Sequence, residues 1–258
     1  MTLLSLDDAR VTYKLPGRGT LNAVDGVSFD LEPRQVLGLV GESGCGKSTL
    51  ARAVCGLEPT SAGSISFNGQ RIGKLGLRKR DPALMRIQMV FQNPFASLNP
   101  RRTIGSQIED GLRVNPDRDA WNVPQLLEHV ELDASSRDRY PHQFSGGQRQ
   151  RIAIARAIAA GPELLIGDEP IASLDASLQA RVAKLMRKLA VETGAALLFI
   201  SHDLSVVRVI ADDVAVMSAG KIVERGPVDR VWTNPQDAYT QRLLAAIPVV
   251  DGLGRLPG

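Results

Sequence analysis

Gly41-Glu42-Ser43-Gly44-Cys45-Gly46-Lys47-Ser48 follows the apolar run Val36 to Val40 and leads into a helix-like run from Ser48 onward. The spacing is a complete G-x-x-x-x-G-K-[ST] phosphate loop in a strand–loop–helix setting. Glycines let the backbone turn its N–H groups inward around phosphates, Lys47 supplies a positive charge for the β and γ groups, and the Ser48 hydroxyl can reach Mg²⁺. The ligand implied is a nucleoside triphosphate. A ligand-free Gly-rich turn is the alternative, and the strand and helix on either side argue against it.

A chain of 258 residues suffices for one large domain or two small ones, and with 43% hydrophobic residues it can bury a substantial core. The 31 basic and 28 acidic residues leave a net charge of +3. That small imbalance is not a basic face, so nucleic acid is not expected as a partner, and Arg78-Lys79-Arg80 and Arg101-Arg102 read as solvated surface. No stretch approaches the roughly 18 apolar residues of a membrane helix, and no basic-then-apolar signal opens the chain. The expectation is a cytoplasmic protein that does not itself cross a bilayer. Two cysteines, Cys45 and Cys55, fit a reducing compartment and are too few for a zinc or iron–sulfur site. Cys55 reads as core. Cys45 lies in a loop built to admit phosphate, and is expected to be open to alkylation.

Short β-rich runs at Leu21 to Val24, Val27 to Leu31, Val36 to Val40, Ser64 to Phe67 and Ile87 to Phe91 predict a mixed sheet around the helix after the phosphate loop. Between Asn93 and Arg139 the segments are Pro-bounded, polar and helix-permissive, including Thr103 to Leu112 and Val123 to Val130. They predict an inserted helical subdomain. From Ser145 the chain alternates a helix to Ala160, a strand Leu164 to Ile166, a helix Ser177 to Val191 and a strand Ala196 to Ile200, the rhythm of a parallel α/β sheet. Leu178, Val182, Leu185 and Leu189 form one apolar stripe facing that sheet. Strands Val214 to Met217 and Ile222 to Glu224 follow, then a helical tail from Val228 to Ile247. The organisation expected is a catalytic core with a β-subdomain over residues 1–92 and 156–228, a helical subdomain over 93–155, and a tail over 229–258.

Leu164-Leu165-Ile166-Gly167-Asp168-Glu169 is an apolar strand ending in two carboxylates at the carboxyl edge of a parallel sheet, where ligands bind. Asp168 is placed to hold Mg²⁺, and Glu169 to polarise a water for in-line attack on the γ-phosphate. Ser145-Gly146-Gly147-Gln148 opens the next helix as a capping box. Two glycines inside a helix start cost stability, and close approach of another group to bare backbone would account for them. This N-terminus is then a second anion site on one chain.

The order phosphate loop, Gln92, SGGQ, LLIGDE, Ser173-Leu174-Asp175 and His202 resembles the ATP-binding subunits of ABC transporters, over nearly the whole chain. The resemblance implies a P-loop ABC cassette with a RecA-like α/β core, an antiparallel β-subdomain and an inserted helical subdomain. It also implies a head-to-tail dimer in which the SGGQ of one subunit covers the γ-phosphate held by the other. By that resemblance Gly41, Ser43, Gly44, Cys45, Gly46, Lys47, Ser48 and Thr49 hold ATP, and Tyr13 stacks on adenine. Lys47, Gln92, Glu169 and His202 serve hydrolysis, and Ser48, Gln92 and Asp168 serve Mg²⁺. Ser145, Gly146, Gly147 and Gln148 face the partner's ATP, and Asp175 lies at the dimer seam. Phe95, Ala96 and Leu98 are candidates for the apolar wall of a groove that receives a permease helix.

VFQNPFASLNPR (Val90 to Arg101), YPHQFSGGQRQRIAIARA and NPQDAYTQRLLAAIP (Asn234 to Pro248) resemble the oligopeptide, dipeptide and nickel importer branch, and its F-type ATPase subunit. That implies a second, related ATPase subunit, two membrane permeases and an extracytoplasmic substrate-binding protein, with this chain peripheral on the cytoplasmic face of the inner membrane. Peptide is the expected cargo, with nickel or another chelated metal, or a soluble non-transport ABC ATPase, as alternatives. No cysteine follows Cys55, so no iron–sulfur cluster is expected. Gly167 departs from the family, which usually has alanine or a larger apolar residue there.

Overall fold

The computed structural model describes residues 2–17, 19–76, 80–115 and 121–247, apart from the side chains of Phe95, Ala96 and Ala176. The chain begins with β1 (Leu4–Leu15), β2 (Gly19–Leu31), β3 (Val36–Val40) and α1 (Lys47–Val54), then β4 (Ala62–Phe67), β5 (Gln70–Arg71) and β6 (Ile87–Val90). A helical stretch follows: α2 (Pro94–Ser97), α3 (Ile104–Val114), α4 (Val123–His129) and α5 (Gly146–Ala159). Alternation resumes with β7 (Leu164–Asp168), α6 (Ala176–Thr193), β8 (Ala196–Ile200), α7 (Leu204–Ile210), β9 (Asp213–Ser218) and β10 (Lys221–Pro227), before α8 (Val228–Thr233) and α9 (Ala238–Ala245).

The central sheet has the order β10-β9-β3-β8-β7-β6. Its strands are parallel except β10, which pairs antiparallel with β9. Both faces are covered, and residues alternate between two cores. Leu164, Ile166, Leu198 and Ile200 join one, while Leu165, Leu197 and Phe199 join the other. Burial on both sides is why these strands read as unbroken apolar runs. On the second face, one core runs from the sheet through α5 and α6 into Ile104, Ile108, Leu126 and Leu127 of the helical stretch.

The expected mixed sheet is corrected. Val36–Val40 and Ile87–Val90 belong to the parallel sheet, while β2-β1-β4-β5 form a separate, antiparallel sheet. Helix α1 is wedged between the two, burying Leu50, Ala51 and Val54 against both. Strand β1 was not expected. Its buried Leu4, Leu6, Ala9 and Val11 lose the two-residue period between Leu6 and Ala9, where Asp8 adopts φ 43° and the register with β2 shifts.

Caps fix the helix starts that the sequence suggested. Thr103 accepts from Ser106 N ahead of α3, and Asn122 and Ser145 form capping boxes with Gln125 and Gln148. Helix α5 runs unbroken across 155/156, so the boundary drawn there falls inside one helix. In the α6 stripe Val182, Leu185 and Leu189 are buried, and Leu178 is half-buried beside Gly147. The helical tail consists of two helices, interrupted at Asn234-Pro235 where proline cannot continue the ladder. Leu98 is 4% exposed and belongs to the core, so it lines no apolar groove. Its companions Phe95 and Ala96 lie among the side chains not described.

Candidate functional site

Two glycines of the phosphate loop lie where a side chain would collide with neighbouring backbone. Gly41, at φ 151°, would place a Cβ 2.1 Å from the Met217 carbonyl, and Gly46, at φ 112°, would place one 2.0 Å from the Ala23 carbonyl. The loop is therefore clamped between β9 and β2, backbone against backbone. Lys47 is 3% exposed and points back into the loop, donating from Nζ to the Gly41 and Glu42 carbonyls at 2.8 Å each. Nζ also stands 3.9 Å from Glu169 Oε1.

Ser48 Oγ donates to Asp168 Oδ1 at 2.7 Å, joining the start of α1 to the end of β7. Asp168 is 4% exposed, and burial pushes its carboxyl above the usual carboxylate range despite the Ser48 hydrogen bond. The next residue, Glu169, sits at φ 47° in the left-handed region, rare for a residue with a long side chain. Its amide donates to the Ile200 carbonyl at 3.0 Å, and its Oε2 lies 3.1 Å from His202 Nδ1. The strained turn thus aims a carboxylate between the loop lysine and a histidine 56% exposed at its side chain.

A cavity of about 310 Å³ gathers Tyr13, Ser43, Gly44, Gly46, Lys47, Ser48, Thr49, Gln92 and Glu169. Leu21 and Ala23 of β2 complete its wall. Leu21 pairs across the strands with Tyr13 and is half exposed, and sequence reading passed over it because an apolar residue in a strand reads as core. Cys45 is a correction. The residue is 9% exposed, with its thiol tucked under the loop toward Lys47 Nζ at 3.8 Å and its pKa raised by burial, so the open thiol expected of a phosphate loop is not what the structure shows. Cys55 is buried as expected, its thiol pushed up to about 12 by burial.

Ser145, Gly147 and Gln148 line a different cavity, with Leu178 and Arg181 of α6. Ser145 Oγ accepts from Gln148 N at 3.3 Å and Gln148 Oε1 accepts from Ser145 N at 2.9 Å. A Cβ at Gly146 would meet nothing within 4 Å. Asp175 is exposed at the start of α6 and makes no side-chain cap there. Helix α5 reaches the segment between β6 and Gln92 through Gln150, wholly buried, whose Nε2 donates to the Phe91 carbonyl at 3.3 Å.

A triphosphate cradle at the carboxyl edge of a parallel sheet, with a carboxylate and a histidine beside it, defines a nucleotide hydrolase. A family model described as ABC transporter matches residues 24–172. The chain is 48% identical to the oligopeptide transport ATP-binding protein OppF of Bacillus subtilis, over 96% of this chain and 83% of that protein. It is 50% identical to the glutathione import ATP-binding protein GsiA of Escherichia coli over 90% of this chain, and spans 38% of that longer protein. Its fold matches a dimeric post-hydrolysis state of the ATP-binding cassette MJ0796 bound to ADP and phosphate. The TM-score is 0.71 at 24% identity, over 88% of this chain and 99% of that one. The chain belongs to the ABC transporter family, as an ATP-binding and ATP-hydrolysing cassette. Among the described residues no helix is long and apolar enough to cross a membrane.

Proposed function

We propose that the chain is the ATPase subunit of an ABC importer for peptides. The likeness to OppF and GsiA supports a peptide cargo. A second, related ATPase subunit, two permeases and an extracytoplasmic substrate-binding protein complete the assembly, with this chain on the cytoplasmic face of the membrane. The stretch 93–155 acts as the helical subdomain. With two cysteines in the whole chain, no iron–sulfur cluster belongs to this reading.

The observation that carries it is Glu169, held by its backbone between Lys47 Nζ at 3.9 Å and His202 Nδ1 at 3.1 Å. In this reading the loop amides from Ser43 to Thr49 and the Lys47 amine bind the β- and γ-phosphates, and Tyr13 stacks on adenine. Glu169 accepts a proton from a water beside Gln92 as that oxygen bonds to the γ-phosphorus, while the bond to the bridging oxygen breaks and releases ADP. His202 contacts the γ-phosphate. Ser48 and Asp168, a hydroxyl and a carboxylate 2.7 Å apart, suit a hard cation that takes its remaining ligands from phosphate and water. Mg²⁺ held by Ser48 and Asp168 would neutralise charge on the phosphate oxygens. Gln92 lines the same cavity as Ser48.

The signature residues Ser145, Gly146, Gly147 and Gln148 cover ATP in the partner's loop, with Asp175 at the seam. Ser145, Gly147 and Gln148 line a cavity that shares no residue with the phosphate cavity, which supports this division of labour. Glu169→Gln tests the assignment. The variant is expected to bind ATP with near-native affinity and hydrolyse it at least about 100-fold more slowly, the usual scale for general-base loss. Normal turnover would remove Glu169 from the chemistry.

A further inference from the structure

The C-terminal helix α9 reaches the phosphate loop through one hydroxyl. Tyr239 Oη accepts a hydrogen bond from the Glu42 backbone N–H at 3.0 Å, across 197 positions of the chain. The same peptide unit carries the Gly41 carbonyl, which accepts from Lys47 Nζ at 2.8 Å. The Gly41–Glu42 peptide is therefore gripped from both sides, by the loop's own lysine and by a phenol from the tail. It has little slack, because Gly41 abuts the Met217 carbonyl.

Tyr239 is itself fixed. Asp237 caps α9, accepting from Tyr239 N at 2.8 Å. Glu224 of β10, 7% exposed, accepts from Gln236 N at 3.0 Å and Asp237 N at 3.1 Å, and pairs with Arg230 at 3.1 Å. Burial works to raise the Glu224 carboxyl, but these donors outweigh it and hold the group below its ordinary value, so it stays ionised at neutral pH. Burial also raises the Tyr239 phenol, which stays protonated. A rigid line of polar contacts thus runs from β10 through the start of α9 to the loop.

We propose that Tyr239 is a positioning residue of the nucleotide site: through its hydroxyl, helix α9 fixes the peptide that holds Lys47, and so sets affinity for the β- and γ-phosphates. The proposal rests on the reading of Gly41–Thr49 as the phosphate site. ATP binding by the unsubstituted chain reports on that reading separately.

The test uses the full-length chain and competition against a fluorescent ATP analogue, with ATP, inorganic tripolyphosphate and adenosine as probes. In Tyr239→Phe the constants for ATP and tripolyphosphate are expected to weaken together, by about two- to tenfold, the scale of one lost hydrogen bond at a partly solvated N–H. Adenosine, which makes no loop contact, keeps its constant, and the nucleotide-free unfolding temperature stays within about 3 °C. Glu224→Gln leaves the loop untouched and is expected to shift tripolyphosphate in the same direction by a smaller factor. An unchanged tripolyphosphate constant in Tyr239→Phe overturns the proposal. So does an equal loss for adenosine, or weakening that accompanies a larger fall in unfolding temperature, since either makes the phenol a support of the fold at large.

Discussion

Replacing Gly38 by alanine pushes helix α7 off the central strand. A Cβ at Gly38 would lie 2.3 Å from Val207 Cγ1 and 3.3 Å from Ala211 Cβ, where carbon atoms settle at about 3.5–4.0 Å. The gap must open by about an ångström. Overpacking of this kind costs about 1–3 kcal/mol, and the entropy that glycine surrenders in a strand returns about 0.5–1 kcal/mol. The net expectation is a loss of about 0.5–2 kcal/mol, read as a fall of about 1–8 °C in the unfolding temperature of the nucleotide-free chain. Activity should fall further than stability implies, because α7 begins at Leu204 behind the Asp203 cap and carries His202 with it. A displacement of about 1 Å there is expected to slow ATP hydrolysis by about tenfold or more. Val207→Ala supplies the control. Alone it destabilises by about 1–2 kcal/mol through lost methyl burial, and combined with Gly38→Ala it makes room for the new Cβ. The double variant should be more stable than the sum of the singles by about 1–2 kcal/mol, with hydrolysis restored toward the native rate. Strict additivity in a denaturant-unfolding cycle would refute the reasoning.

Two further substitutions test the loop and its carboxylate. Gly46→Ala would drive a Cβ to 2.0 Å from the Ala23 carbonyl at φ 112°, and is expected to weaken ATP binding by at least about tenfold in an equilibrium titration. Gly44→Ala, where a Cβ meets nothing within 4 Å, should cost only the about 1–2 kcal/mol of its positive φ and retain binding better than Gly46→Ala. For Asp168, burial raises the folded-state pKa above 3.8, so the native chain binds more protons than the unfolded one between those two values. Stability from this group falls as pH rises through that window and stays lower above it. Asp168→Asn cannot ionise, so it should lose that slope and unfold at a higher temperature than the native chain at pH 7, without nucleotide, while losing hydrolysis. Equal slopes in thermal scans from pH 3.5 to 7 would count against a buried, desolvated carboxylate.

The phosphate loop, the Asp168-Glu169 pair and the strand–helix alternation from Ser145 were legible because each is a local pattern. Gly41 and Gly46 are demanded by contacts with Met217 and Ala23, yet their spacing alone announces the loop. What sequence missed was long-range or locally masked. Strand β1 hid behind the bulge at Asp8, which breaks its alternation. The division of the early strands between two sheets depends on β3 pairing with β8 and β9, more than 150 positions away. The Cys45 thiol looked exposed because a loop admits phosphate at its backbone, whereas its side chain turns inward. Tyr239 stood in a quoted tail phrase, but nothing local shows that its hydroxyl meets Glu42 N.

The signature segment carries the same lesson to the level of assembly. Its capping box is closed on itself, Ser145 with Gln148, so the first turn of α5 is satisfied on one side without any ligand. A Cβ at Gly147 would meet Leu178 at 3.4 Å and Leu174 at 3.8 Å, whereas one at Gly146 would meet nothing within 4 Å. A side chain at 146 would cost nothing inside this chain and would gain helix propensity over glycine, by about 1 kcal/mol for alanine. A bare backbone there, at a helix start rich in N–H donors, fits the proposed approach of an anion from outside the chain. The chain's own phosphate cavity includes none of these residues. The proposed exchange, in which each of two cassettes lends this segment to the other's loop, would give that glycine its use.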